Sequence, residues 1–61
     1  MTKNEQLLAQ EIHRYGEIQY DKEFTVHGKF IRNLVIEYSG IYYDIQMVNG
    51  VYTYLKEKKI D

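Results

Sequence analysis

Sixty-one residues with 44% apolar content and neither cysteine nor proline define one domain, residues 1–61, near the lower size at which packing alone holds a fold. No disulfide framework or thiolate metal site is open to such a chain, so stability must come from packing or from self-association into a homo-oligomer. Eight basic residues against nine acidic ones, a formal charge of −1, give no bulk electrostatic drive toward nucleic acid. Apolar runs of a few residues fall far short of the roughly 20 that cross a membrane.

The opening residues MTKNEQ lack the basic start and apolar stretch of a secretory signal, so the cytoplasm is the expected compartment. Thr2 and Glu5 stand three apart, the spacing of a capping box, in which hydroxyl and carboxylate each accept from the other residue's backbone N–H. A helix is predicted over residues 3–15. Leu8, Ile12 and Tyr15 recur at helical spacing with Leu7 beside them, and Gly16 follows as the residue best able to end a helix in the left-handed conformation. Lys3, Gln6, Gln10 and Arg14 form the face expected to be solvated.

Residues 17–30, EIQYDKEFTVHGKF, read as a short strand, a turn at Asp21 and Lys22, and a second strand in which Phe24 and Val26 alternate. Gly28 is a bulge or turn position.

The last third is more informative. In IEYSGIYYDIQMVNGVYTYLKE, Ile36 to Glu57, Asn49-Gly50 is a strong signal for a two-residue type I′ hairpin, and Ser39-Gly40 is a weaker version of it. Two-residue loops would set Met47 opposite Tyr52 and Ile45 opposite Tyr54. They would also set Ile36 opposite Tyr43 and Leu34 opposite Ile45. Both registers then select one apolar face, with Leu34, Ile36, Tyr38, Ile41, Tyr43, Ile45, Met47, Tyr52 and Tyr54, and a one-residue slip would reverse every side chain. The predicted fold class is α+β: one N-terminal helix packed on a three- or four-stranded antiparallel β-meander. Tyrosines suit the thin core, since each brings a large apolar ring and a hydroxyl that reaches solvent at the rim.

No residue pattern for catalysis emerges: there is no nucleophile with a base, no metal-ligand spacing and no phosphate-cradling loop. His13 and His27 read as a surface group or a satisfied polar contact. Glu37 and Asp44 share the outer sheet face without an enclosing pocket. The expectation is a protein that is not an enzyme and needs no cofactor and no metal.

A helix of about 13 residues spans roughly 20 Å at 1.5 Å per residue and covers one side of the sheet only. The open side is expected to hold Val35, Glu37, Tyr42, Asp44, Gln46, Thr53 and Leu55, with Val48 and Val51, a mixed apolar and acidic surface suited to a protein partner or a second copy. Tyr42 is the candidate anchor. The alternative is a single-stranded nucleic-acid binder whose tyrosines stack on bases while Lys22, Lys29, Arg32, Lys56, Lys58 and Lys59 contact phosphates. Against it, most tyrosines are expected to point inward.

The Ile36–Glu57 segment, with a helix before it and a composition typical of low-GC genomes, resembles the small accessory proteins of phages and mobile elements of Gram-positive bacteria. That resemblance implies a class: proteins that bind one host protein and block it, including anti-CRISPR inhibitors of host defence. It carries over no functional residue.

Overall fold

Two consecutive residues with positive φ reverse a chain in the least length, and this happens three times: at His27–Gly28 (49° and 76°), Ser39–Gly40 (53° and 77°) and Asn49–Gly50 (50° and 80°). Such turns match the right-handed twist of the strands they join. The structure, a computed structural model, describes residues 1–59: helix α1 (Lys3–Tyr15) followed by strands β1 (Glu17–Val26), β2 (Lys29–Tyr38), β3 (Ile41–Val48) and β4 (Val51–Glu57). The strands form one antiparallel sheet in the order β1-β2-β3-β4, and α1 packs on one side of it, so the fold is α+β as the sequence predicts.

The turn expected at Asp21 and Lys22 does not exist. β1 runs unbroken through both, pairing Asp21 with Leu34 and Lys22 with Asn33, and the register shifts only near Gln19. The reversal comes at His27–Gly28 because histidine is among the residues that tolerate positive φ and glycine has no Cβ to oppose it.

The capping box forms as expected, with Thr2 Oγ1 accepting from Glu5 N and Glu5 Oε1 accepting from Thr2 N, each at 3.1 Å. The helix stop differs. Gly16 has φ −77° and ψ 168°, an extended conformation, so glycine is needed there for space: a Cβ would collide with the Ile36 side chain and with the Ile12 and Glu37 carbonyls.

The buried core is small: Ala9, Ile12, Leu34, Ile36 and Ile45, rimmed by Tyr38, Tyr43, Met47, Tyr52 and Leu55. Ala9 takes the place expected of Leu8, because a small side chain lets the helix sit close to the strands, while Leu7 and Leu8 stay exposed. Tyr15 is 68% exposed at the end of α1. Gln6 does not belong to the solvated face; its amide donates to the Tyr52 carbonyl at 2.6 Å. Together with Tyr38 Oη donating to Glu11 at 2.9 Å, this bond lays α1 across β4 and β2. All ten residues of β1 remain exposed.

The first hairpin register is as expected, with Leu34 opposite Ile45 and Ile36 opposite Tyr43. In the second, Met47 faces Tyr52, then the register shifts: Gln46 faces Tyr54 and Ile45 faces Leu55. Thr53 is the extra residue of a bulge, its hydroxyl donating to the Gln46 carbonyl at 3.2 Å. The bulge turns Leu55, which has no polar atom to satisfy, toward the core, and sends Tyr54 to the other side. The expectation that Leu55 belongs to the open face is thereby overturned.

Gly16→Ala should destabilise the protein by about 1–3 kcal/mol through overpacking, read as a lower urea midpoint with unchanged slope. Leu34→Ala, which opens a cavity, should cost about 2–5 kcal/mol by the same measurement.

Candidate functional site

Residues paired across antiparallel strands share a face, so the registers build the uncovered side row by row. From the β1–β2 turn, the rows read Phe24–Ile31–Val48–Val51, then Lys22–Asn33–Gln46–Tyr54, then Tyr20–Val35–Asp44–Lys56, then Glu17–Glu37–Tyr42. The sheet forms a shallow open groove here, of about 620 Å³, with Tyr20 and Tyr54 on the two edge strands and Asn33 and Gln46 on the floor. Gln46 Nε2 donates to Asn33 Oδ1 at 3.1 Å, which fixes the two amides side by side and leaves the Asn33 amino group as a donor and the Gln46 oxygen as an acceptor. Asp44 and Lys58 approach to 3.9 Å at one end. Tyr20 is 50% and Tyr54 45% exposed, so both rings offer apolar area to an incoming surface.

Of the residues expected on this face, Val35, Glu37, Tyr42, Asp44 and Gln46 are brought together, with Val48 and Val51 beside them. Thr53 is exposed at the edge, with its hydroxyl engaged in the bulge. Tyr20, Phe24, Ile31, Asn33 and Tyr54 belong to the face and were not anticipated. The β1 members follow an alternation, Tyr20, Lys22, Phe24 and Val26, that runs straight through the supposed turn.

The helix side carries a different cluster. Asp21 accepts two bonds from Arg32 at 2.9 and 2.7 Å, and Glu23 lies 3.7 Å from the same guanidinium. This pairing holds the Asp21 carboxyl below the usual carboxylate range and pushes Arg32 up. Arg32 is thus committed on the opposite side from the aromatic rows. His13 Nδ1 and Tyr52 Oη share a hydrogen bond at 2.6 Å, with the rings edge to face, so His13 is a satisfied polar contact. Burial pushes the imidazole below its ordinary value, Arg32 adds to this, and Asp21 opposes it. Among the described residues, no three His, Asp or Glu side chains converge as a metal site, no buried side-chain polar atom lacks a partner, and no helix is long and apolar enough to cross a membrane.

Comparison with protein-family models, curated protein sequences and solved structures yields no match.

Because folding lowers the His13 pKa, the unfolded chain binds the proton more readily. Stability from this group is complete above the unperturbed value of about 6.5 and declines as pH falls toward and through the folded value. Asp21 and Glu5, whose carboxyls are held low, lose their contributions only at more acidic pH. The urea midpoint should therefore drop between pH 7.5 and pH 5.5, buffer values chosen to bracket about 6.5, and His13→Gln should flatten that slope.

Proposed function

We propose that this chain is a small binding module without chemistry of its own, which lays its open sheet face on a protein partner and thereby inhibits or regulates it. One observation carries this reading: four strands set Tyr20, Phe24, Tyr42 and Tyr54 among Ile31, Val35 and Val48 on the side that α1 leaves bare. Aromatic side chains set among aliphatic groups and amides suit the centre of a protein interface, and the charged residues Glu17, Glu37, Asp44, Lys22 and Lys56 stand around them. The resemblance of residues 36–57 to accessory proteins of phages and mobile elements supports inhibition as the mode and a host protein, such as a component of host defence, as the target.

Single-stranded nucleic acid is the second ligand class, favoured specifically by the Thr53 bulge, which turns Tyr54 outward on the same face as Lys56 of its own strand. It is the weaker fit. Arg32 is held by Asp21 on the helix side, and Glu17, Glu37 and Asp44 share the open face with the lysines, whereas strand binding depends on uncompensated cations.

Tyr42→Lys combined with Tyr54→Lys should abolish recovery of a specific partner from host lysate while leaving the circular dichroism spectrum unchanged; undiminished recovery would reject this face. Fluorescent oligonucleotides should show no binding in buffer of about 50 mM salt, where phosphate contacts are strongest. Saturable binding there would favour the nucleic-acid ligand instead.

A further inference from the structure

The two edges of the sheet differ. On β4 the edge is broken by the Thr53 bulge and followed by Lys56, Lys58 and Lys59, features that discourage strand pairing. On β1 the segment Tyr20–Val26 pairs with β2 in continuous register, and among the described residues no strand lies on its outer side. In a hairpin closed by two residues, the flanking pair, here Val26 and Lys29, exchanges both backbone bonds, and bonded pairs then alternate along the ladder. Phe24, Lys22 and Tyr20 are therefore spent on β2, while Asp21, Glu23 and Thr25 direct their N–H and C=O groups away from the sheet.

We propose that this edge takes up an extended segment of the protein partner as a fifth strand, one that alternates basic and apolar residues. The proposal rests on the protein-partner reading above and adds the mode of binding. Charge decides the occupant. An added strand would place one set of side chains beside Asp21 and Glu23 on the helix side and the other beside Tyr20, Lys22 and Phe24 on the open side. Arg32 binds Asp21 through two bonds but stands 3.7 Å from Glu23, whose side chain is 66% exposed, so Glu23 is available to a further cation. Cations opposite the acids and apolar groups opposite the rings would extend the aromatic rows of the open face by one strand.

A second copy fits less well. Antiparallel self-pairing centred on Asp21, Lys22 or Glu23 sets Asp21 against Asp21, Asp21 against Glu23, or Glu23 against Glu23, and like charges directly opposite are unfavourable. Centring on Phe24 avoids this but overlaps only residues 22–26.

The test uses a fluorescein-labelled peptide alternating arginine and valine, with a glutamate–valine peptide as control, in polarisation titrations against the whole chain. The basic peptide should bind and the acidic one should not. Glu23→Pro removes one outward N–H without touching the bonds to β2 and should weaken binding by about tenfold or more. Glu23→Arg, which keeps every backbone group, should weaken it as well. Leu7→Gln, on the exposed side of α1, should leave it within about twofold, and because the peptide titration reads the β1 edge alone, its outcome is separate from that of the partner-recovery test of the open face. Equal binding of the two peptides, or wild-type affinity in both Glu23 variants, would overturn the proposal. So would a dimer that sediments as such at micromolar concentration and is lost in Glu23→Pro, since the occupant would then be a second copy.

Discussion

Side-chain alternation along a pleated strand divides this protein, and three two-residue turns hold the division in place. Each turn is closed by two residues of positive φ, so none of the hairpins has slack to absorb a slip. A shift of one residue would carry Leu34, Ile36 and Ile45 to the uncovered side and the charged rows into the helix contact. The exchange of Tyr54 for Leu55 shows the same constraint at work. Thr53 accommodates the one extra residue, and the result is a core side chain without polar atoms and an exposed one with a hydroxyl.

The helix secures only part of this arrangement. It is tied to β4 through Gln6, to Tyr52 through His13, and to the end of β2 through Glu11 and the close approach at Gly16. β1 lies outside these ties. Its hold is the backbone ladder to β2 and the Asp21–Arg32 pair, which is about one-third exposed and contributes little by itself. Elements of this kind sit at the low end of local stability. The same shortage of cover leaves the aromatic rows and the β1 edge open, so the least supported part of the fold is also the part for which partner binding is proposed.

Much of this was legible in the sequence, for identifiable reasons. Asn49-Gly50 and Ser39-Gly40 state their turns in residues that take positive φ readily, Thr2 and Glu5 state the helix start, and the register of the first hairpin follows. The open face was legible where strand pairing is regular, at Val35, Glu37, Tyr42, Asp44 and Gln46. It was not legible where a bulge intervenes: Thr53 carries no local mark of the extra residue, and only the gain from burying Leu55 selects that position. Gly28 was legible as a bulge or turn position, but the reversal was placed at Asp21-Lys22, whose polar residues are turn-like, and with that went Tyr20 and Phe24. Gly16 was anticipated at the right place for the wrong reason, since what it supplies is room beside Ile36, a fact of tertiary packing that no local pattern encodes.

The placement of Tyr54 on the open side and Leu55 on the packed side depends on the bulge. Nuclear Overhauser contacts across β3 and β4, together with broadening by a soluble paramagnetic agent, report on it directly. Ile45 should lie opposite Leu55, with the Tyr54 ring broadened and the Leu55 methyls protected. Ile45 opposite Tyr54, with Leu55 broadened instead, would place the Tyr54 ring in the interior and contradict the proposed binding face.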